Sequence, residues 1–158
     1  MAMRMVTKTA LAVFALDQAT KYVVVHGLDL WSRQRIDVLP PWLSFRMAWN
    51  QGINFGLLAT GSDLARWLLI LLAVVISGFV AVWVGRGNQG PIVRIAGGAV
   101  IGGAMGNVVD RVLFGAVADF LNMSVPGIHN PYSFNIADIA VFAGAFALVI
   151  FGGKEKTP

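Results

Sequence analysis

The segment Gly102–Asp138 reads GGAMGNVVDRVLFGAVADFLNMSVPGIHNPYSFNIAD, and it decides the fold because it sets charged side chains between two oily runs. One apolar run ends near Phe114 and the next begins near Phe134, with a short polar connection between them. Asp119 lies in that connection, and Asp138 lies just inside the second run. If both runs cross a membrane, the two carboxylates are expected to meet at one of its faces.

A meeting of Asp119 and Asp138 has a chemical consequence. Two carboxylates about 4 Å apart repel by roughly 4 kcal/mol at an effective dielectric constant near 20, which corresponds to about three pKa units. Such a pair tends to share one proton at neutral pH. One member then acts as a base on a water molecule and the other as an acid, which is the chemistry of aspartic proteases.

The composition indicates an integral membrane protein. Of the 158 residues, 57% are hydrophobic and only 13% are charged, and the mean hydropathy is +0.72. A helix needs roughly 20 apolar residues to cross a hydrocarbon core of about 30 Å. Four segments meet that requirement, and the predicted spans are 6–25, 67–84, 92–114 and 134–151. We therefore predict an all-α membrane protein with four transmembrane helices, forming a single integral membrane domain over residues 1–158.

Charge placement predicts the orientation of these spans. One set of helix ends carries six basic residues, and the positive-inside rule places that set in the cytoplasm; they are Arg4, Lys8, Arg86, Arg94, Lys154 and Lys156. Both termini are then cytoplasmic, and the loops 26–66 and 115–133 face outward. The net charge of +4 comes without a basic run, so no nucleic-acid partner is indicated. No cysteine and only two histidines are present, and we predict neither a metal nor another cofactor.

The first outer loop carries a strand pattern. Leu43, Phe45, Met47 and Trp49 alternate with other residues at the spacing of a strand or hairpin, so we predict a small extracytoplasmic β-sheet within this loop. The segment 50–56 follows with turn-forming residues. Its Asn50 and Asn54 either cap turns or contact a substrate.

The third predicted span contains two patterns. Gly98, Gly102 and Gly106 recur every four residues, which lets a neighbouring helix approach closely in lipid. Polar residues collect beside them at the outward end of the helix, on a line that contains Gly103, Asn107 and Arg111, with Asp110 adjacent. This set is either a structural network, with Asp110 pairing to Arg111, or a means of holding a substrate and orienting a catalytic carboxylate.

The first span contains an acid and a base. Asp17 and Lys21 are four residues apart and share a helix face, so they can pair where either charge alone would cost about 2.5 to 3.5 kcal/mol at the bilayer centre. The pair either fixes helix packing or lines a substrate cavity.

Five blocks, in order, resemble the lipoprotein signal peptidases, the type II signal peptidases of bacteria. They are Asp17-Gln18-Ala19-Thr20-Lys21, the segment 50–56 (NQGINFG), the segment 102–111 (GGAMGNVVDR), Val117-Ala118-Asp119-Phe120, and Phe134-Asn135-Ile136-Ala137-Asp138. The resemblance covers nearly the whole chain. Asn54 departs from it, because relatives more often carry a small residue there.

The resemblance implies an aspartic endopeptidase of the bacterial inner membrane. Such an enzyme removes the signal peptide from diacylglyceryl-modified prolipoproteins, cutting before the lipidated cysteine at the outer face. It implies that Asp119 and Asp138 form the catalytic dyad. It also implies partners, namely prolipoproteins, membrane lipid and cyclic lipopeptide inhibitors such as globomycin. The remaining matched residues bind substrate or support the dyad; they are Asn50, Gly52, Asn107, Arg111, Asn135, Asp17, Lys21 and Asp110.

Two other classes of protein fit the isolated features. Intramembrane acids also mark ion pathways, so a small transporter or channel subunit is one alternative. A purely structural membrane subunit, whose polar groups satisfy one another, is the second. The clustering of acids toward one end, and the lack of an internal repeat in the sequence, favour the peptidase over the transporter.

Overall fold

A computed structural model gives the structure of residues 2–52, 63–86, 89–128 and 130–153. Asn54, Lys154 and Lys156 lie outside these described residues. The elements are, in chain order, α1 (Ala2–Lys21), α2 (Leu30–Arg33), β1 (Arg35–Leu39), β2 (Leu43–Asn50), α3 (Asp63–Arg86), α4 (Pro91–Phe114), β3 (Val117–Met123) and α5 (Ile136–Phe151). A π-helical segment, Tyr22–Gly27, continues α1. The described chain is mostly helical with one small sheet, as the sequence predicted.

Helix α4 lies at the centre of the helical part, because it contacts α1, α3 and α5. Its glycines make this position possible. A Cβ atom at Gly98 would lie 2.6 Å from the carbonyl oxygen of Val6 in α1, and one at Gly103 would lie 2.5 Å from that of Ala137 in α5. The predicted close approach of a neighbouring helix is therefore confirmed, and it occurs on two faces of α4.

Two of the described helices are long and apolar enough to cross a membrane. They are α3 and α4, with mean hydropathies of 2.7 and 1.5 over their most apolar 18 residues. Helix α5 is apolar but has 16 residues, and α1 contains charged residues at both ends. Each of the four long helices nevertheless occupies a predicted span to within a few residues.

The sheet is larger than predicted. Its strand order is β1-β2-β3 with antiparallel pairing, and β3 pairs Asp119 opposite Ala48 of β2. The prediction of a small sheet in the first outer loop is confirmed for β1 and β2, but the third strand comes from the segment that we predicted to be a second loop. That strand is buried on both faces from Val117 to Phe120. Such a short continuous apolar run carries no alternation that would distinguish a strand.

The chain after β3 returns to the sheet before α5 begins. The backbone N–H of Phe134 donates to the carbonyl oxygen of Leu121 at 2.9 Å, and the N–H of Leu121 donates back at 2.8 Å. This one-residue pairing fixes Phe134 beside β3. It therefore places the next residue, Asn135, beside Asp119 and immediately before the start of α5.

Candidate active site

Asn135 is the N-cap residue immediately before α5, and it holds Asp138 in place. Its side-chain oxygen accepts a hydrogen bond from the backbone N–H of Asp138 at 2.9 Å. In return, the Asp138 carboxylate accepts one from the backbone N–H of Asn135 at 3.1 Å. This reciprocal arrangement is a capping box, which satisfies two backbone donors at a helix start. The Asp138 side chain is thereby fixed at the first turn of α5.

Asp119 lies on β3 and is almost completely buried, at 2% exposure. One of its oxygens accepts a hydrogen bond from the side-chain amide of Asn135 at 2.7 Å. The other accepts one from the amide of Asn50, at the end of β2, at 3.1 Å. Asn135 therefore contacts both candidate catalytic acids, which the sequence separates by 19 positions.

Asn107 of α4 makes a second connection. Its amide nitrogen donates to Asp138 at 2.9 Å, while its oxygen accepts from the amide of Asn135 at 3.1 Å. Lys21 of α1 also approaches that oxygen, at 3.3 Å. These two donors orient the Asn107 amide so that its nitrogen faces Asp138. The structure thus gathers the predicted residues Asn50, Asn107, Asn135, Asp119 and Asp138 at one site.

The surroundings of Asp119 raise its pKa from 3.8 to about 7. Burial is the main cause, because it penalises the charged form, and the nearby Asp138 carboxylate adds to it. Hydrogen bonds from Asn50 and Asn135, together with the charge of Lys21, act in the opposite direction without cancelling the rise. The carboxyl of Asp119 therefore exchanges its proton near neutral pH, mainly because it is buried, whereas the sequence argument rested on repulsion between the two acids.

A buried ion triad lies behind these acids. The Lys21 ammonium is 2.8 Å from a carboxylate oxygen of Asp17 and 2.8 Å from one of Asp110. All three residues are buried. The carboxylates also accept backbone hydrogen bonds, from Ala137 of α5 to Asp17 at 2.9 Å and from Ala118 of β3 to Asp110 at 3.1 Å. The triad therefore fixes α1 and α4 relative to the segments that carry both acids.

One of the two alternatives for Asp110, its pairing with Arg111, is not found within the described residues, since Asp110 forms its ion pair with Lys21. Adjacent helix positions point about 100° apart, so Asp110 faces α1 while Arg111 faces elsewhere. Arg111 donates to the carbonyl oxygen of Asn107 at 3.3 Å and lies close enough to Asp119 and Asp138 to interact electrostatically with both.

Gly52 lies beside Arg111, where its backbone has a φ of 98°. Only glycine adopts that conformation readily. A Cβ atom there would also clash with a methyl carbon of Leu69. The N–H of Gly52 donates to the side-chain oxygen of Asn50 at 2.9 Å. Asn50 thus caps a turn, which is one of the two roles predicted for it. Its side-chain amide also donates a hydrogen bond to Asp119.

Gln18 belongs to this network although we did not single it out. Its amide nitrogen lies 3.1 Å from Asp17 and 3.1 Å from Asp110, within hydrogen-bonding distance of both carboxylates. Its spacing in the sequence could have identified it as a member of the network, because Gln18 and Lys21 are three residues apart and share a face of α1. A third polar residue on that face of an apolar helix indicates a buried partner.

Comparisons with known proteins agree with this geometry. The family profile described as Signal peptidase (SPase) II matches residues 9–152. A lipoprotein signal peptidase of Methylobacterium sp. (strain 4-46) is 39% identical over 142 residues, which cover 90% of this chain and 84% of that protein. One from Pseudomonas putida (strain KT2440) is 38% identical over 148 residues, covering 93% and 85%.

Solved structures show the same fold. A bacterial membrane enzyme determined by the in meso method at 1.9 Å resolution superposes with a TM-score of 0.79 at 25% identity, covering 96% of this chain and 94% of that one. A second, at 2.3 Å, gives a TM-score of 0.76 at 26% identity, covering 97% and 93%. The chain is an integral membrane protein that belongs to the signal peptidase II family of peptidases.

Proposed function

We propose that this protein is an aspartic endopeptidase that removes the signal peptide from diacylglyceryl-modified prolipoproteins, cutting before the lipidated cysteine. The observation that carries the proposal is the position of Asn135, whose amide binds Asp119 while its backbone and side-chain oxygen hold Asp138. Two acids on different elements, one buried with a pKa of about 7, suit general acid and base catalysis at neutral pH.

In the proposed reaction, Asp119 carries the proton and Asp138 acts as the base. Asp138 takes a proton from a water molecule, whose oxygen bonds to the scissile carbonyl carbon, while Asp119 gives its proton to the carbonyl oxygen. When the tetrahedral intermediate collapses, the carbon–nitrogen bond breaks. The departing amine of the lipidated cysteine takes the proton from Asp138, and a hydroxyl of the intermediate returns a proton to Asp119.

The neighbouring residues have supporting roles in this proposal. Asn107 and Asn135 orient the two acids through their amides. Arg111 and Asn50 lie at the same site and hold the peptide backbone of the substrate. Cyclic lipopeptides such as globomycin, which pair a peptide ring with an acyl chain, are expected to compete for these contacts.

We also propose that all four long helices cross the inner membrane, with both termini in the cytoplasm and the dyad at the outer face. Arg4, Arg86 and Arg94 support this orientation, because the ends that carry them lie together. A Cβ atom at Gly85, near the end of α3, would lie 2.6 Å from the sulfur of Met3 in α1. The dyad lies at the other end of α4 and the beginning of α5.

Cysteine labelling tests this orientation, because the natural chain has no cysteine. The variants Asp37→Cys, on β1, and Arg94→Cys, near the start of α4, are treated in intact spheroplasts with a membrane-impermeant maleimide. Asp37→Cys is expected to react at once, and Arg94→Cys only after the membrane is permeabilised. The reverse result would contradict the proposed orientation.

The peptidase proposal is tested with Asp119→Asn and Asp138→Asn. Each change removes one proton-transfer group, and general acid or base catalysis contributes about 10²- to 10⁴-fold. Each variant is therefore expected to lose at least about a hundredfold in the rate of cleavage of a purified, lipidated precursor. Asp37→Asn is the matched control, because Asp37 is an exposed carboxylate on the same sheet. Near-normal cleavage by either dyad variant, with inserted and folded protein, would refute the proposal.

A further inference from the structure

A groove between α1 and α4 holds two cavities that lie apart from the dyad. The lower cavity has a volume of about 420 Å³ and an almost wholly apolar lining, which includes Ala10, Leu11, Phe14 and Met105. The upper cavity, of about 770 Å³, includes Lys21, Tyr22, Trp31, Trp49, Asp110 and Phe114. Phe14 of the lower cavity and Gln18 of the upper one are a single turn apart on α1, so the two cavities follow one groove.

The upper cavity lies on the face of the sheet opposite the dyad. Ala116 and Ala118 line it, and side chains alternate between the two faces of a strand, so the neighbouring Asp119 points away from it. Trp49 lines the cavity in the same way, while the next residue, Asn50, reaches Asp119. A molecule in this cavity therefore does not occupy the proposed peptide site.

The walls of the upper cavity are aromatic, and two members of the buried ion triad, Lys21 and Asp110, line it. The rings of Trp31 and Trp49 have centroids 5.4 Å apart, and those of Trp49 and Phe114 are 5.8 Å apart. The two carboxylates and one ammonium of the Asp17, Lys21 and Asp110 triad carry a formal net charge of −1. Aromatic faces attract alkylammonium groups, and the net negative charge of the whole triad adds to that attraction.

The groove also has the dimensions of a lipid in one leaflet. Tyr22 and Leu11 are 11 residues apart on α1 and its continuation, which is about 16 Å along the helix axis. Half of a hydrocarbon core of about 30 Å has nearly the same depth. An acyl chain that starts beside Tyr22 therefore ends in the apolar lower cavity.

We propose that this groove binds one phospholipid with an ammonium headgroup, such as phosphatidylethanolamine, with the headgroup among Tyr22, Trp31 and Trp49 and an acyl chain in the lower cavity. The proposal rests on the membrane orientation proposed above and not on the peptidase chemistry. It differs from a general belt of interfacial aromatic residues, because a belt retains no defined lipid once the bilayer is removed.

Native mass spectrometry of detergent-purified protein, with synthetic phosphatidylethanolamine or phosphatidylglycerol added, tests the proposal. We expect the wild-type chain to retain one phosphatidylethanolamine in preference to phosphatidylglycerol. Trp31→Leu removes an exposed wall residue and is expected to weaken that retention about threefold to thirtyfold. Ala116→Trp, which fills the cavity, is expected to abolish it, while Ala143→Trp on the exposed face of α5 leaves it unchanged.

Three results would overturn the inference. They are the absence of a retained lipid on the wild-type chain, a preference for the anionic lipid, and equal retention by wild type and Trp31→Leu. Asp119→Asn is measured in parallel and is expected to retain the lipid. If the peptidase proposal fails, the lipid measurement still stands, because it does not depend on cleavage. If no lipid is retained, the cleavage assay still tests the peptidase proposal by itself.

Discussion

Replacing Asp119 with asparagine is expected to remove activity and also to stabilise the protein above about pH 6. The reason is that the folded state buries Asp119 where its ionised form is unfavourable, which raises its pKa from 3.8 to about 7. Asparagine has nearly the same shape and never ionises. The change therefore separates the catalytic use of this carboxyl from its effect on the free energy of unfolding.

The sign of the effect follows from proton binding. Between pH 3.8 and about 7 the folded chain keeps a proton on Asp119 that the unfolded chain has released. Stability then falls by about 1.4 kcal/mol per pH unit, and the fall ends above the folded-state pKa. From pH 5 to pH 7 the wild-type chain is expected to lose at most about 3 kcal/mol relative to the asparagine variant. For a chain of this size that is at most about 6 to 12 °C in melting temperature.

The assay is the apparent melting temperature of wild type and Asp119→Asn in one detergent, at half-unit steps from pH 5 to pH 8.5. The difference between the two proteins cancels the titration of other groups that they share. We expect this difference to grow in favour of the variant up to about pH 7 and then to level off. Asp37→Asn, on the exposed β1 strand, is expected to show no such trend. A constant difference, or one that favours the wild-type chain as the pH rises, would refute the argument.

The remaining predictions concern catalysis and packing. The cleavage rate should fall on the alkaline side with a midpoint near pH 7 as Asp119 loses its proton, and a flat profile from pH 6 to pH 9 would exclude Asp119 as the acid. Asn135→Ala should lower the rate of cleavage about a hundredfold by displacing both acids, and should cost about 1 kcal/mol of stability through loss of the helix cap; unchanged cleavage would show that the amide is dispensable. Gly103→Ala, whose new Cβ would clash with α5, should destabilise the protein by about 1 to 3 kcal/mol, whereas the matched Gly78→Ala, with open space around it, should not destabilise it; equal melting temperatures would argue against tight packing of α4 on α5. Lys21→Met leaves two buried carboxylates without a cation and should cost about 3 to 5 kcal/mol in chemical unfolding; a stable variant would show that the triad is not a structural requirement.

Much of the helical framework was accessible from the sequence. Apolar runs longer than about 17 residues predict helices whatever they pack against, because the requirement to satisfy backbone hydrogen bonds in lipid is local. The glycine spacing in α4 likewise predicted a close neighbour, and Gly98 lies against α1. The pairing of Asp17 with Lys21 was correct for the same reason, since four residues on a helix place two side chains on one face.

The third strand was not accessible in this way. The segment Val117–Met123 pairs with a strand about 70 positions earlier in the chain, and no periodicity within seven residues reports such a partner. Asp119 was therefore predicted to lie in a loop, although strand pairing buries it almost completely.

The sequence by itself determined which residues form long helices and which acids stand out against an apolar background, because those properties depend on composition and local spacing. Only the tertiary structure decided that Lys21 pairs with Asp110 and that a single amide, that of Asn135, joins Asp119 to the α5 helix cap. The physical reason is that burial, hydrogen-bond partners and the resulting pKa depend on which distant segments come into contact.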